Sequence, residues 1–144
     1  MQYKNKIFHV ENISTEKLVK TFNTPLYCYS YLKLKNNIIN FKNHFSNISP
    51  LICFSVKSNS NVKIIKEIKN LDCGADVVSK GEMMKALKAG VNPKKIVFSG
   101  VGKTYSELEY AINKNILLIN VESKSELLII FAIWWVKLGS IPYL

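Results

Sequence analysis

From residue 51 onward, short apolar runs alternate with stretches whose apolar residues recur at helical spacing. Runs of this length are typical of buried strands, and they recur about every 20 residues. The stretches between them place apolar side chains on one helical face and lysines on the other. The pattern predicts strands over residues 51–56, 73–78, 95–98 and 116–121, and helices over residues 61–70, 80–89 and 104–113, with a fourth helix opening at Ser123.

This alternation predicts parallel βα units joined by right-handed crossovers. Two architectures fit: half of a (β/α)8 barrel, or a doubly wound open sheet. The dinucleotide-binding form of the open sheet expects a GxGxxG segment after its first strand, and residues 57–61 contain no glycine. We therefore predict a partial TIM (β/α)8 barrel of about four βα units. A whole barrel needs roughly 250 residues and this chain has 144, so we expect a barrel truncated on its C-terminal side.

The first 50 residues follow a different pattern. We predict a short strand at residues 6–10, an extended apolar segment at residues 24–29, and a helix capped by Ser30 that runs to about residue 45. The predicted division of the chain is a lead-in at residues 1–45, the half-barrel at residues 46–130, and a divergent apolar tail at residues 131–144.

Charge and cysteine content exclude several classes of function. The net charge is +10, but the basic residues are all lysines, scattered singly or in pairs, whereas nucleic-acid binding favours clustered arginine. Three cysteines without a CxxC pair indicate neither a disulfide framework nor a zinc site, and they fit a reducing cytoplasm. The N-terminus lacks the apolar core of a signal peptide. The ten apolar residues at 127–136 are too few to span a membrane, which needs about 20.

Polar residues follow the predicted strands at their carboxyl ends, where parallel α/β folds place their sites. Lys57 ends a wholly apolar run, so it is either a desolvated, nucleophilic amine or a lysine that reaches out to water from a strand end. Asp76 interrupts an apolar strand, so it is either a paired or functional carboxylate or a turn residue. The other candidates at these ends are Asn59, Ser79, Glu82 and Ser99.

Two of these segments also have local structural explanations. Residues 79–82 (SKGE) match a capping box, in which Ser79 and Glu82 bond to backbone amides at a helix start. Residues 99–104 (SGVGKT) look like a phosphate loop but lack its GxxxxGK[ST] spacing. We predict that the glycines of this segment permit a tight turn and that it binds no nucleotide.

Five segments in order resemble the motifs of diaminopimelate decarboxylases, which use pyridoxal phosphate and have an alanine-racemase-like barrel. These segments are TPLYCYS (24–30), CFSVKSNSN (53–61), CGADVVSKGE (73–82), KIVFSGVGKT (95–104) and NVES (120–123). Ornithine and arginine decarboxylases share only the lysine and aspartate motifs, and the last two segments favour the diaminopimelate branch.

The resemblance implies specific roles for the candidates. Lys57 takes the place of the lysine that binds the cofactor in the family's YAxKAN motif, although Phe54, Ser55 and Ser58 depart from that motif. Asp76 matches a cofactor-binding position, and Asn59, Ser79, Glu82 and Ser99 are possible pocket-lining residues. No metal site is expected.

At the level of the whole protein, the resemblance implies conversion of meso-2,6-diaminopimelate to L-lysine by a cytoplasmic homodimer. The small-molecule substrate is an amino acid, and no nucleic acid or membrane is expected as a partner. The family's C-terminal β domain is absent from this chain, so we expect the 144 residues alone to be inactive. Two alternatives stay open: a non-catalytic or partner-binding relative of the barrel, or an ornithine- or arginine-type decarboxylase.

Overall fold

The computed structural model describes residues 1–137 and divides the chain into two compact units. The first unit is Met1–Pro50 and the second begins at Leu51. Residues 138–144, the last part of the predicted apolar tail, lie outside the described residues. Over residues 1–137, every helix is too short or too polar to cross a bilayer.

The first unit consists of a small antiparallel sheet and two helices. The elements are β1 (Gln2–Lys4), β2 (Ile7–Val10), β3 (Ile13–Ser14), α1 (Thr15–Phe22) and α2 (Tyr31–His44). The strands pair in the order β1-β2-β3. The predicted strand and the predicted helix capped by Ser30 are both confirmed, since Ser30 Oγ accepts a hydrogen bond from Lys33 N at 3.1 Å.

Glu11 holds the start of α2 against the turn after β2. Its Oε1 accepts hydrogen bonds from Leu32 N at 2.9 Å and from Ser30 Oγ at 2.8 Å. These two donors, the Leu32 amide first, lower the pKa of the Glu11 carboxyl below its ordinary value. One carboxylate therefore satisfies both the cap residue and a free amide of the first helical turn.

The second unit alternates strands and helices as the apolar pattern predicts. The strands are β4 (Cys53–Ser55), β5 (Gly74–Val77), β6 (Ile96–Phe98) and β7 (Leu118–Ile119). The helices are α3 (Val62–Asn70), α4 (Lys80–Lys88), α5 (Tyr105–Lys114) and α6 (Lys124–Lys137). Two single 3-10 turns, Val56–Ser58 and Pro93–Lys95, flank the strands. Each predicted strand is present but shorter at its ends, because the flanking apolar residues lie in turns.

All four strands are parallel and pair in the order β4-β5-β6-β7. Each strand thus lies beside the next one in the sequence, as in a barrel, whereas a doubly wound sheet reverses its order partway. The sheet packs on its helices through one continuous core, to which Ile65 of α3, Met83 of α4 and Ala111 of α5 all contribute. Of the two architectures left open by the sequence, the strand order supports the partial barrel.

Helix α6 departs from the amphipathic pattern expected for the outer helix of a barrel. It packs against α5 and buries Ile133 and Glu126. Most of its other large apolar side chains are exposed, and these are Leu127, Leu128, Phe131, Trp134, Trp135 and Val136. The predicted apolar run is thus helical but is not buried within the described part of the chain.

Gly74 of β5 lies where the structure has no room for a side chain. A methyl group on residue 74 would lie 2.1 Å from the carbonyl oxygen of Lys95 and 2.9 Å from Cys53 Sγ. The thiol of Cys53 lies over this glycine and donates to the same carbonyl oxygen at 3.8 Å. Burial and the nearby Asp76 carboxylate raise the pKa of the Cys53 thiol.

We predict that Gly74→Ala destabilises the protein by about 3 kcal/mol, because backbone cannot move aside as a flexible side chain can. The control is Gly81→Ala in α4, where the nearest atom to the added methyl would be Ser79 Oγ at 3.8 Å. That substitution is expected to stabilise the helix by up to about 1 kcal/mol. Urea titrations followed by circular dichroism measure both. Equal midpoints for Gly74→Ala and the parent protein would contradict the close contact.

Candidate active site

The carboxyl ends of the four strands bring together the polar side chains that the sequence selected. Ser55 pairs with Asp76 across β4 and β5, and both point to one face because strand side chains alternate. The neighbours of Asp76 in the strand, Ala75 and Val77, are fully buried in the core against the helices. The face that carries Ser55 and Asp76 is therefore the one opposite the helices, which becomes the interior in a barrel.

Lys57 lies in the 3-10 turn Val56–Ser58 immediately after β4. Val56 is fully buried and anchors the turn, which packs against β5. Ser58 Oγ donates to the carbonyl oxygen of Ser55 at 2.7 Å, and Asn59 N donates to that of Val56 at 3.1 Å. Lys57 itself is exposed, and among residues 1–137 its amine has no hydrogen-bond or ion-pair partner. Lys57 is thus accessible to solvent in the described chain, and its role toward the cofactor stays a prediction.

Asp76 is half-buried and paired, as a carboxylate inside an apolar strand must be. Its Oδ1 accepts a hydrogen bond from Ser99 Oγ at 2.6 Å. Ser99 Oγ in turn accepts from Asn120 Nδ2 at 2.9 Å. Ser99 and Asn120 directly follow β6 and β7, so three adjacent strands supply this hydrogen-bonded row. The sequence placed Asp76 and Ser99 at strand ends but did not predict their contact or the part that Asn120 plays in it.

Ser79 and Glu82 form most of the predicted capping arrangement at the start of α4. Ser79 Oγ accepts from Glu82 N at 3.2 Å, as a helix N-cap does. The Glu82 carboxylate accepts from Val78 N at 3.0 Å, one residue earlier than the capping box predicts. These bonds explain both residues locally, and their role as pocket-lining groups stays a prediction.

Glu107 ties two of the strand-end loops together. Its Oε1 accepts from Lys80 N at 3.0 Å, and its Oε2 accepts from Thr104 N at 3.1 Å. These backbone donors, Lys80 first, lower the pKa of the Glu107 carboxyl. The helix predicted over residues 104–113 puts Glu107 in its first turn, but the link to α4 depends on tertiary structure alone.

Lys103 lies in a buried, fully hydrogen-bonded position that could not be predicted from the sequence. It follows Gly100 and Gly102, whose positive φ angles of 97° and 70° confirm the predicted tight turn. Its Nζ donates to the carbonyl oxygens of Gly100 and Asn120, both at 2.7 Å, and to Glu126 Oε1 at 2.8 Å. The ion pair is buried, with side-chain exposures of 1% for Lys103 and 7% for Glu126.

The three acceptors use all three donor hydrogens of the Lys103 ammonium group. The lysine of the SGVGKT segment is therefore occupied by internal contacts, which agrees with the prediction that this segment is no phosphate loop. Among the described residues no group of three or more histidine, cysteine and acidic side chains has the arrangement of a metal site.

The fold and this edge define a class of protein: an α/β barrel segment that presents an exposed lysine and a half-buried carboxylate at the ends of two paired parallel strands. Residues 32–134 match the family described as "Pyridoxal-dependent decarboxylase, pyridoxal binding domain". The chain belongs to this family, and the cofactor implied by the match is pyridoxal phosphate.

Relatives within the family are diaminopimelate decarboxylases, which confirms the resemblance. The chain is 50% identical to that of Helicobacter pylori strain J99 over 112 residues, covering 78% of this chain and 28% of the relative. It is 42% identical to that of Aquifex aeolicus over 127 residues, covering 88% and 30%. The crystal structure of the M. jannaschii enzyme with L-lysine superposes with a TM-score of 0.85 at 35% identity, covering 96% and 33%. The chain thus spans about a third or less of each relative's length.

The residues at the strand ends fit pyridoxal phosphate. The cofactor's aldehyde needs a primary amine without competing partners, and Lys57 provides one. Ser55 Oγ, on the same face as Asp76, is buried and lacks a hydrogen-bond partner within residues 1–137. A buried hydroxyl in this condition costs free energy unless another group reaches it. The donor set is therefore suited to a polar organic cofactor.

We predict that Lys103→Met destabilises the protein by about 3–5 kcal/mol, because it leaves the Glu126 carboxylate buried and unpaired. The control is Lys95→Met, since the ion pair of Lys95 with Asp72 is more exposed, at 33% and 79%, and such pairs contribute about 1 kcal/mol or less.

The double variant Lys103→Met/Glu126→Leu should recover much of the loss, because no buried charge remains. Denaturant midpoints of the three variants decide the matter. A Lys103→Met protein as stable as Lys95→Met would show that Glu126 finds solvent and that the pair is not buried in solution.

Proposed function

We propose that this chain supplies the lysine-bearing part of a pyridoxal-phosphate-dependent decarboxylase that converts meso-2,6-diaminopimelate to L-lysine. One observation carries the proposal: within the described residues Lys57 presents an exposed, unpartnered amine at the carboxyl end of β4, the strand that pairs with the Asp76 strand β5, and it lies within the family match. Residues 46–130 are proposed to form the first half of the cofactor-binding barrel.

The reaction replaces the carboxylate on one of the substrate's two amino-bearing carbons by a proton and releases carbon dioxide. Pyridoxal phosphate, when bound, supplies an aldehyde that bonds to amines and a ring that takes up the electron pair left behind by carbon dioxide. Lys57 would hold the cofactor covalently through Nζ, and Asp76 would face it from β5 with a fixed negative charge. Ser55 Oγ, buried and unpartnered in the described chain, would offer it a hydrogen bond.

The diaminopimelate branch is favoured over the ornithine and arginine branches. The chain is 40–50% identical to several diaminopimelate decarboxylases over most of its length. Its match to the ornithine decarboxylase of Entamoeba histolytica covers 56% of the chain at 34% identity, with a TM-score of 0.52. We further propose that the protein works as a homodimer in the cytoplasm, where the thiols of Cys28, Cys53 and Cys73 stay reduced.

We predict that pyridoxal phosphate becomes linked to Lys57 and that borohydride makes the link permanent. Peptide mass mapping should find the label on the peptide containing Lys57, because its amine is accessible and unpaired. Lys57→Ala should lose that label. Lys88→Ala, which removes an exposed lysine from α4, should keep it. A label spread over many surface lysines, with none enriched at residue 57, would refute the proposed function.

We predict that Asp76→Asn impairs cofactor binding and turnover without a matching loss of stability. Asparagine keeps an oxygen to accept from Ser99 Oγ, so the fold should retain its melting temperature within about 2 °C. Loss of the charge should reduce decarboxylation about 100-fold, a typical order for a group that assists proton transfer or charge stabilisation.

The decarboxylation measurement is carbon dioxide release from meso-diaminopimelate, with the protein purified from its native source and its Asp76→Asn form made in the same host. Unchanged turnover with a lowered melting temperature would assign Asp76 a structural role only.

A further inference from the structure

A continuous series of hydrogen bonds leads from a buried ion pair to Asp76. Glu126 accepts from Lys103 Nζ, which also donates to the backbone oxygen of Asn120. The side chain of Asn120 donates to Ser99 Oγ, and Ser99 Oγ donates to Asp76 Oδ1. The donor–acceptor distances in this series lie between 2.6 and 2.9 Å, so every link has the length of a normal hydrogen bond. We call these five residues the strand-end relay.

The chemistry of the side chains fixes the direction of the relay. A serine hydroxyl has one hydrogen to donate. The amide nitrogen of Asn120 can only donate, so Ser99 Oγ must accept from it and keep its own hydrogen for Asp76. Hydrogen bonds to a charged group are stronger than neutral ones. Asn120 therefore secures a charge-assisted bond at Asp76 without touching Asp76 itself.

The buried ion pair fixes the position of Asn120 relative to the sheet. Asn120 is exposed and directly follows β7, a strand of only two residues. The Asn120 amide donates to the carbonyl oxygen of Phe98 at 2.9 Å, so the pairing with β6 reaches Asn120. Lys103 holds the Asn120 carbonyl oxygen, and Glu126 from α6 holds Lys103. The backbone at an exposed strand end is thus held by two side chains that are almost completely buried, and it places the Asn120 side chain against Ser99.

We infer that Ser99 and Asn120, held by Lys103 and Glu126, are positioning residues that fix the Asp76 carboxylate for cofactor binding. The inference rests on the proposed function, because it gives Asp76 a role toward pyridoxal phosphate. It also gives the SGVGKT segment a structural role, since this segment supplies both the hydroxyl at Ser99 and the amine at Lys103.

The relay itself is tested without any cofactor, in ¹H–¹⁵N spectra of the full chain. The side-chain amide of Asn120 is assigned by its loss in Asn120→Ala. Ser99→Ala and Asp76→Ala should each change the chemical shifts of this amide. Ser99→Ala removes the acceptor of its hydrogen bond, and Asp76→Ala removes the acceptor of the Ser99 hydroxyl. Ser106→Ala removes an exposed hydroxyl from α5 and should leave the Asn120 amide in place. An Asn120 amide that ignores both substitutions overturns the relay.

The positioning of Asp76 for cofactor binding is tested by titrating the protein with pyridoxal phosphate and trapping the bound cofactor with borohydride. The fraction of Lys57 labelled at each concentration gives a dissociation constant. Ser99→Ala should weaken binding about tenfold or more, as expected for loss of a hydrogen bond to a charged group. Ser99→Thr keeps the hydroxyl and should restore most of the affinity. Asn120→Ala should weaken binding to a smaller extent, and it keeps the test usable if Ser99→Ala does not fold.

Three outcomes are distinguishable. Weaker binding in Ser99→Ala and Asn120→Ala, with melting temperatures matching Ser106→Ala, supports the positioning role. Unchanged binding in folded Ser99→Ala and Asn120→Ala overturns it, even if the spectra show the relay. A parent protein that never labels Lys57 refutes the proposed function, and the spectra then still decide whether the relay exists.

Discussion

The parallel pairing of four short strands is the constraint on which the rest of this structure depends. Because the strands run in one direction, β4 to β7 all end at the same edge, and their alternate side chains sort onto two faces. One face supplies the core with residues such as Ala75 and Val77. The other face carries Ser55 and Asp76. Neighbouring residues of one strand therefore serve either the core or the candidate site.

The same pairing decides how much of the protein could be predicted from its sequence. Short apolar runs alternating with helically spaced apolar residues predicted every strand and α-helix after residue 51 within the described residues. The pattern is clear there because these elements bury apolar side chains. In the first unit, β1 and β3 were missed, because strands of two or three residues leave almost no pattern. Helix α1 was missed although Leu18, Val19 and Phe22 recur at helical spacing. The candidate residues at the strand ends were found by position, as the topology requires.

Contacts between those residues could not be predicted from the pattern. The bond between Ser99 and Asp76 depends on the register of β5 against β6, and a one-residue slip would separate the two side chains. The burial of Lys103 requires acceptors from the glycine turn, from Asn120 and from α6 together. No single segment contains that information, and a lysine after glycine even suggests the opposite, a solvent-facing phosphate ligand.

The contrast between Lys57 and Lys103 has a consequence for chemical labelling. Both lysines follow strands of the same sheet, yet within the described residues one amine is exposed and unpartnered whereas the other is enclosed by three oxygens. Acylating reagents, and enzymes that acetylate lysine, require a free amine in contact with solvent. In a chain with twenty lysines, modification would therefore reach the proposed cofactor lysine while sparing the one that supports the fold. Acylation at Lys57 would block the proposed site without unfolding the barrel.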